Sequence, residues 1–205
     1  MSFEFLAVDA ARSDGRFAPV AHSPMEAQAR NAGARFEQRD GWNVAVGYGD
    51  PVVERAAIET AGAWTDSSQL GKIELQAAPA ALAEIVARAC EGADHTDACA
   101  LGLGLATRAA GAWWCPLTPE RALAICPPSR TASLRERLEE AAGAAGALAS
   151  VIEVTTLHAA LTLSGPVTRE IFARFCALDL RPQSTPVRGL RPPSRCSCAR
   201  ARRRS

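Results

Sequence analysis

The stretch AWTDSSQLGKIEL, residues 63–75, runs a polar turn, Asp66-Ser67-Ser68-Gln69, straight into Gly71, Lys72 and an alternating segment. Ile73 and Leu75 alternate there with charged or polar neighbours, the pattern of a half-buried strand. Such a turn can grip the anionic group of a ligand, or it can be a strand entrance in which Asp66 or Ser67 bonds the backbone two residues on. The surrounding sequence has to decide between these roles.

On the carboxyl side, PAALAEIVARAC (79–90) opens with proline and places Leu82, Ile85, Val86 and Ala89 on one helical face. EGADHTDA is a polar link, and CALGLGLATR is a small-residue strand candidate. AWWCPL and RALAIC flank Thr118-Pro119-Glu120 as a hairpin, which Pro127-Pro128 stops. Ser133 and Glu136 read as a capping box in SRTASLRERLEEAA. HAALTL follows as a strand, then Ser164-Gly165-Pro166 and the helix VTREIFARFCALDL. On the amino side, SPMEAQARNAG is a helix with Ser23 as N-cap, Pro24 at its first position and Gly33 at its end. WNVAVGYG is a strand, and PVVERAAIETAG a second helix opened by proline and closed by glycine.

Glu84-Ile85-Val86-Ala87-Arg88-Ala89-Cys90 reappears as Glu170-Ile171-Phe172-Ala173-Arg174-Phe175-Cys176, each time after a strand, a small-residue turn and a proline. The echo predicts an α+β fold, with two similar β-α halves forming a mainly antiparallel sheet on which helices pack.

The 205 residues suit one domain, and 48% apolar against 22% charged residues is a globular composition. The net charge of +1 averages two unlike parts. Seven of the 23 basic residues are arginines at or beyond Arg188, where no acid occurs, so the body is mildly acidic. That is no footprint for nucleic acid. Residues 188–205 read as a disordered or aberrant tail, with a basic arm as the other reading, and 1–21 as an N-terminal extension. Seven cysteines without C-x-x-C spacing, no apolar leader and no membrane-length apolar run point to a soluble, cytoplasmic protein.

The candidate chemical groups are weak. Asp94, His95, Asp97 and Cys99 lack the second ligand pair that a closed zinc site needs, so a solvated loop is expected and no metal. Gly102 and Gly104 lack a third glycine for a dinucleotide turn, which leaves a close-packed strand. Ser67 and His158 have no nucleophile-elbow motif around them, and His158 reads as a structural histidine in a strand. Cys115 and Cys126 read as inert core thiols.

Several segments together resemble the glycine cleavage T-proteins, folate-dependent aminomethyltransferases. These are SPMEAQARNAGARFEQRDGWNVAVGYGD, the D-x-S-x-x-G-K-I of residues 66–73, and LTLSGP. The second half, with Trp114 to Pro128, LSGP and CALDL, also resembles the gamma subunit of heterotetrameric sarcosine oxidase. The resemblance spans residues 22–187 and implies a T-protein-like folate-binding domain of one-carbon (glycine or sarcosine) metabolism. Tetrahydrofolate is the implied cofactor, and a folate or small amine the implied substrate. In this family the D-x-S-x-x-G-K-I segment turns into a central strand beside the folate pocket. The resemblance therefore implies cofactor contacts from Leu70, from Trp113 or Trp114, and from the strand ending near Cys126. The alternative it implies is a non-catalytic gamma-type subunit packed on flavoprotein partner subunits.

The departures bear on activity. The family's aspartate-rich stretch before the hairpin corresponds to ALGLGLATRAAGAWW, which has no carboxylate, so no catalytic residue carries over. The family's pterin-binding asparagine corresponds to the neighbourhood of Cys126, a poor substitute for an amide that both donates and accepts. The chain also ends near the middle of a full-length T-protein. A truncated domain, weak or inactive alone, is the expectation.

Overall fold

The computed structural model describes residues 20–91, 101–176 and 195–197. Strand β1 (Ala21–His22) is followed by helix α1 (Glu26–Asn31), strands β2 (Arg35–Arg39) and β3 (Trp42–Gly47), and helix α2 (Pro51–Thr60). Strands β4 (Ala63–Asp66) and β5 (Gly71–Ala77) come next, then helix α3 (Pro79–Cys90) and strands β6 (Thr107–Ala109), β7 (Ala112–Thr118) and β8 (Arg121–Cys126). A 3-10 turn, Pro128–Arg130, leads into helix α4 (Thr131–Ala145), followed by strands β9 (Ala149–Glu153) and β10 (Leu161–Ser164), helix α5 (Thr168–Ala173) and strand β11 (Arg195–Ser197).

Three sheets result, ordered β1-β3-β2, β11-β10-β4 and β6-β7-β8-β5-β9. Every pairing is antiparallel except β1 with β3. The class is α+β, as the sequence implies. The opening stretch serves two sheets. β4 pairs β10 in a three-stranded sheet, and β5 lies between β8 and β9 in the five-stranded one.

The core lies on one face of the five-stranded sheet. Ile73, Leu75, Trp114, Ala122, Ala124 and Cys126 meet Leu82, Ile85, Val86 and Ala89 of α3 and Leu134, Leu138 and Ala141 of α4. The four α3 residues that bury are the four its periodicity selects. Their apolar area, at about 25 cal/mol per Å² removed from water, is the main force holding this layer.

Local signals explain the turns. Asp40-Gly41 and Ala110-Gly111 both have positive φ at each residue, the type I′ geometry that matches hairpin twist, and they join β2 to β3 and β6 to β7. Asp50 caps α2 by accepting from Val52 N–H at 2.8 Å.

Four expectations need correction. α4 starts at Thr131, ahead of the proposed capping box, and Ser133 Oγ donates back to the Arg130 carbonyl at 3.2 Å. α1 starts at Glu26, three residues beyond the expected N-cap Ser23, with Met25 at the cap position, and the Glu26 carboxylate engages His22 and Arg30 at 2.6 Å each. Burial works against the Glu26 charge, but hydrogen bonds from His22, Arg30 and Asn43 outweigh it and lower its pKa to about 2. The glycine-rich strand candidate is a turn at Gly102–Leu105, with Leu105 N–H on the Gly102 carbonyl at 3.0 Å and φ of +82° at Gly104. Only Thr107–Ala109 pairs as a strand there. His158 lies in an exposed loop, not in a strand.

Candidate open face of the five-stranded sheet

Antiparallel register puts directly opposed residues on the same face of a sheet. One row across the face turned away from α3 and α4 is Arg108 of β6, Trp113 of β7, Ile125 of β8 and Lys72 of β5, the last two buried at 6% and 2% exposure. The next row is Cys115, Leu123, Glu74 and Ile152. Trp113 is half-buried, and the exposed Arg108 guanidinium sits 6.0 Å from its ring centre, at the limit of a cation–π contact. Glu74 is tied to Arg121 through both carboxylate oxygens, at 3.1 and 2.6 Å.

The sequence-derived pocket residues divide between the two faces. Adjacent residues of a strand point oppositely, so Trp113 and Trp114 cannot line one pocket. Trp114 is fully buried on the helix side, with its Nε1 donating to the Ala109 carbonyl at 3.1 Å. Cys126 is also in that core, its Sγ 3.8 Å from Thr131 Oγ1. Burial raises its thiol pKa, which keeps it protonated and inert. Trp114 and Cys126 therefore offer nothing to a ligand on the open face. Leu70 stays half-buried at the entrance to β5, one residue before Gly71, whose register partner is Cys126.

The opening turn is a strand entrance. Asp66 Oδ1 accepts from Ser68 N–H at 3.0 Å, the side-chain turn expected of aspartate. Ser67 N–H donates to the Ala160 carbonyl at 2.8 Å, and Leu70 N–H to the Ser67 carbonyl at 3.0 Å. Ser68 Oγ accepts from Ala160 N–H at 3.2 Å and from Ser23 Oγ at 3.3 Å, and Ser67 Oγ meets Thr162 Oγ1 at 2.7 Å. These donors are consumed internally, so the turn does not present them to an anion. It presents carbonyl oxygens instead. Lys72 Nζ donates to the carbonyls of Ser68 (2.9 Å), Leu70 (3.1 Å) and Thr155 (3.3 Å).

Lys72 is only 2% exposed, which strand alternation alone misses because it assigns a charged residue to solvent. Gly71 is fixed by close approach, since a Cβ there would collide with the Thr131 hydroxyl and come within 2.9 Å of Cys126 Sγ. Each residue of Gly71-Lys72-Ile73 thus has a separate cause: contact with α4, the carbonyl cage, and the helix-side core.

A half-buried tyrosine with a buried hydroxyl lies outside this face. Tyr48 packs on Trp64 with ring centres 6.0 Å apart, and its hydroxyl has no hydrogen-bond partner among the described residues. Burial, then the charges of Asp66 and Glu54, raise its pKa.

The described residues hold no cluster of three potential metal ligands and no helix long and apolar enough to cross a membrane. Asp94, His95, Asp97 and Cys99 fall outside the described residues.

No family model matches the sequence, and no curated protein matches it by sequence. Among solved structures it is similar to the glycine cleavage system aminomethyltransferase T of Bartonella henselae, with a TM-score of 0.61 and 20% identity over 76% of this chain. It spans 43% of that longer chain. A chain of the heterotetrameric sarcosine oxidase of Corynebacterium sp. U-96 aligns with a TM-score of 0.49 and 19% identity, over 65% of this chain and 67% of that one. The first likeness establishes the fold: the described body is T-protein-like.

Proposed function

We propose that this T-protein-like chain is a folate-binding, aminomethyltransferase-like domain of one-carbon (glycine or sarcosine) metabolism, weak or inactive in transfer by itself. The observation that carries the reading is the accessible end of the row turned away from α3 and α4, where the exposed Arg108 and the half-buried Trp113 adjoin the buried Ile125. A half-buried indole beside an apolar neighbour is a platform for a planar heterocycle. The adjacent guanidinium suits the carboxylates of a glutamate tail. Leu70, at the entrance to β5, supplies further apolar contact. Tetrahydrofolate fits this donor set as a bound group, and when bound it supplies the nitrogens that accept a one-carbon unit.

The described residues of the platform bind and orient, and none of them is a carboxylate free to accept a proton. Residues 101–114 contain no carboxylate, and Glu74, one row away, is held by Arg121. A positioned base is worth about 10²–10⁴ in rate, so its absence argues for binding without efficient transfer.

Calorimetric titration with 5-formyltetrahydrofolate tests the reading. Saturable binding at one site in the micromolar range is expected, and Trp113→Ala should weaken it at least tenfold while leaving the melting temperature within a few degrees. No heat at several temperatures, from a chain shown to be folded, overturns it.

A second reading, a non-catalytic gamma-type subunit on a flavoprotein partner, draws on α2. None of its residues is buried, and Val52 (75% exposed) and Val53 (65% exposed) lie open. A stoichiometric complex with the flavin-bearing subunits of a sarcosine oxidase, lost on Val52→Glu, would favour that role.

A further inference from the structure

A lysine ammonium has three donors and no acceptor. At Lys72 the three named acceptors are main-chain carbonyls from two separate segments. Ser68 and Leu70 belong to the turn between β4 and β5, whereas Thr155 belongs to the loop after β9. The loop also bonds the first residues of β5, just beyond the turn. Lys72 N–H donates to Thr155 Oγ1 at 3.1 Å, Thr155 Oγ1 donates to Glu153 at 2.9 Å, and Val154 N–H donates to the Lys72 carbonyl at 2.7 Å. Desolvating an ammonium at this depth is costly, and these carbonyl bonds offset part of that cost.

We propose that Lys72 is a positioning residue, an internal cation that fastens the Ser67–Leu70 turn to the Val154–Ala160 loop and so holds Leu70 at the edge of the open face. The inference rests on the reading of that face as a ligand platform, and it adds what keeps the platform's rim in place. The Lys72 side chain makes no contact with the ligand in this scheme. It acts through carbonyl oxygens, as a bound potassium or ammonium ion does. Removing the side chain should therefore leave a carbonyl-lined vacancy selective for small monovalent cations.

The test compares Lys72→Met and Lys72→Ala with the unaltered chain by amide hydrogen exchange. In Lys72→Met, exchange of Leu70 and Ala160 N–H is expected to accelerate at least tenfold, while Leu138 N–H in the α4 core stays within twofold. In Lys72→Ala, ammonium chloride should restore protection at Leu70 and Ala160, and tetramethylammonium chloride at the same ionic strength should not. Acceleration spread evenly over all three amides, or equal effects of the two salts, overturns the proposal.

If neither variant folds, the unaltered chain still decides. Its Lys72 Nζ protons should give a slowly exchanging ammonium resonance coupled to the carbonyls of Ser68, Leu70 and Thr155, and a freely exchanging one overturns the idea. Folate titration of Lys72→Met separates this proposal from the functional one. Weaker binding with the rim loosened supports both. Binding unchanged with the rim loosened overturns the positioning role, and no binding by the unaltered chain overturns only the folate reading.

Discussion

The two copies of the Glu-Ile-x-Ala-Arg-x-Cys segment have the same local code and different structures. In α3 the segment ends a twelve-residue helix whose Ile85, Val86 and Ala89 are buried against the five-stranded sheet. In α5 the helix lasts six residues and buries none of them, and Phe175 beyond its end is 69% exposed. The difference lies in what each helix finds to lean on. α3 has a broad sheet beneath it and α4 beside it. Among the described residues α5 leans on the junction at Ala61 and Gly62, where Val167 N–H donates to the Ala61 carbonyl at 3.2 Å. Short helices are marginal without tertiary packing. Amphipathic periodicity therefore predicts a helix in both places, but its length follows the surface available.

The sharpest way to break this comparison is to truncate the matched isoleucines. Ile85→Ala should cost about 2–5 kcal/mol in urea unfolding, because it opens a cavity in a packed core. Ile171→Ala, half-buried, should cost under about 1 kcal/mol. Equal costs would mean that α5 is as much a part of the core as α3.

The turns before the two helices give a smaller contrast. Gly165 has φ of +106°, and a Cβ there would lie 2.7 Å from the carbonyl oxygens of Ile58 and Ala61. Gly165→Ala should therefore destabilise by about 1–3 kcal/mol, combining backbone strain with overpacking. Ala78, at the matching place before α3, has φ of −56°, so Ala78→Gly should cost no more than about 1 kcal/mol. Thermal melts of the pair will show whether the close approach is peculiar to the second turn.

The smallest effect concerns charge. Glu84 and Arg88 pair one turn apart on α3 at 2.8 Å, whereas Glu170 and Arg174 make no ion pair among the described residues. Glu84→Gln should lose about 0.3–0.5 kcal/mol at low salt, and less at 1 M salt, as expected of an exposed helix pair. Glu170→Gln should change neither value.

Much of this was readable beforehand, for physical reasons that also mark where reading stops. α3, β5 and the β7–β8 hairpin each carry a strong period or a proline stop, so pattern and structure agree. β9 was missed because Ala149–Glu153 follows an alanine-rich helix and sits at a sheet edge, where no clean alternation is enforced. The β-branched Val151 and Ile152 after Gly146, which takes φ of +59°, were the available signal. The Asp40-Gly41 pair between RFEQR and WNVAVG could likewise have revealed the β2–β3 hairpin.

At the candidate site, parity was the overlooked rule. Adjacent Trp113 and Trp114 had to part, and the register places Trp113 with Ile125 and Lys72. The burial of Lys72 was not readable, because its carbonyl partners include one from a segment 83 positions away.

Because the stretch from Ala63 to Leu75 is shared by two sheets, the order of synthesis matters. β5 finds β8 once the ribosome has released residue 126, but the partner of β4 among the described residues, β10, emerges only at residues 161–164. At about 5–20 residues per second, β4 waits for seconds with its backbone groups unpaired. The nascent chain is therefore exposed to chaperones and to mispairing at one short strand, while the neighbouring strand is already zipped.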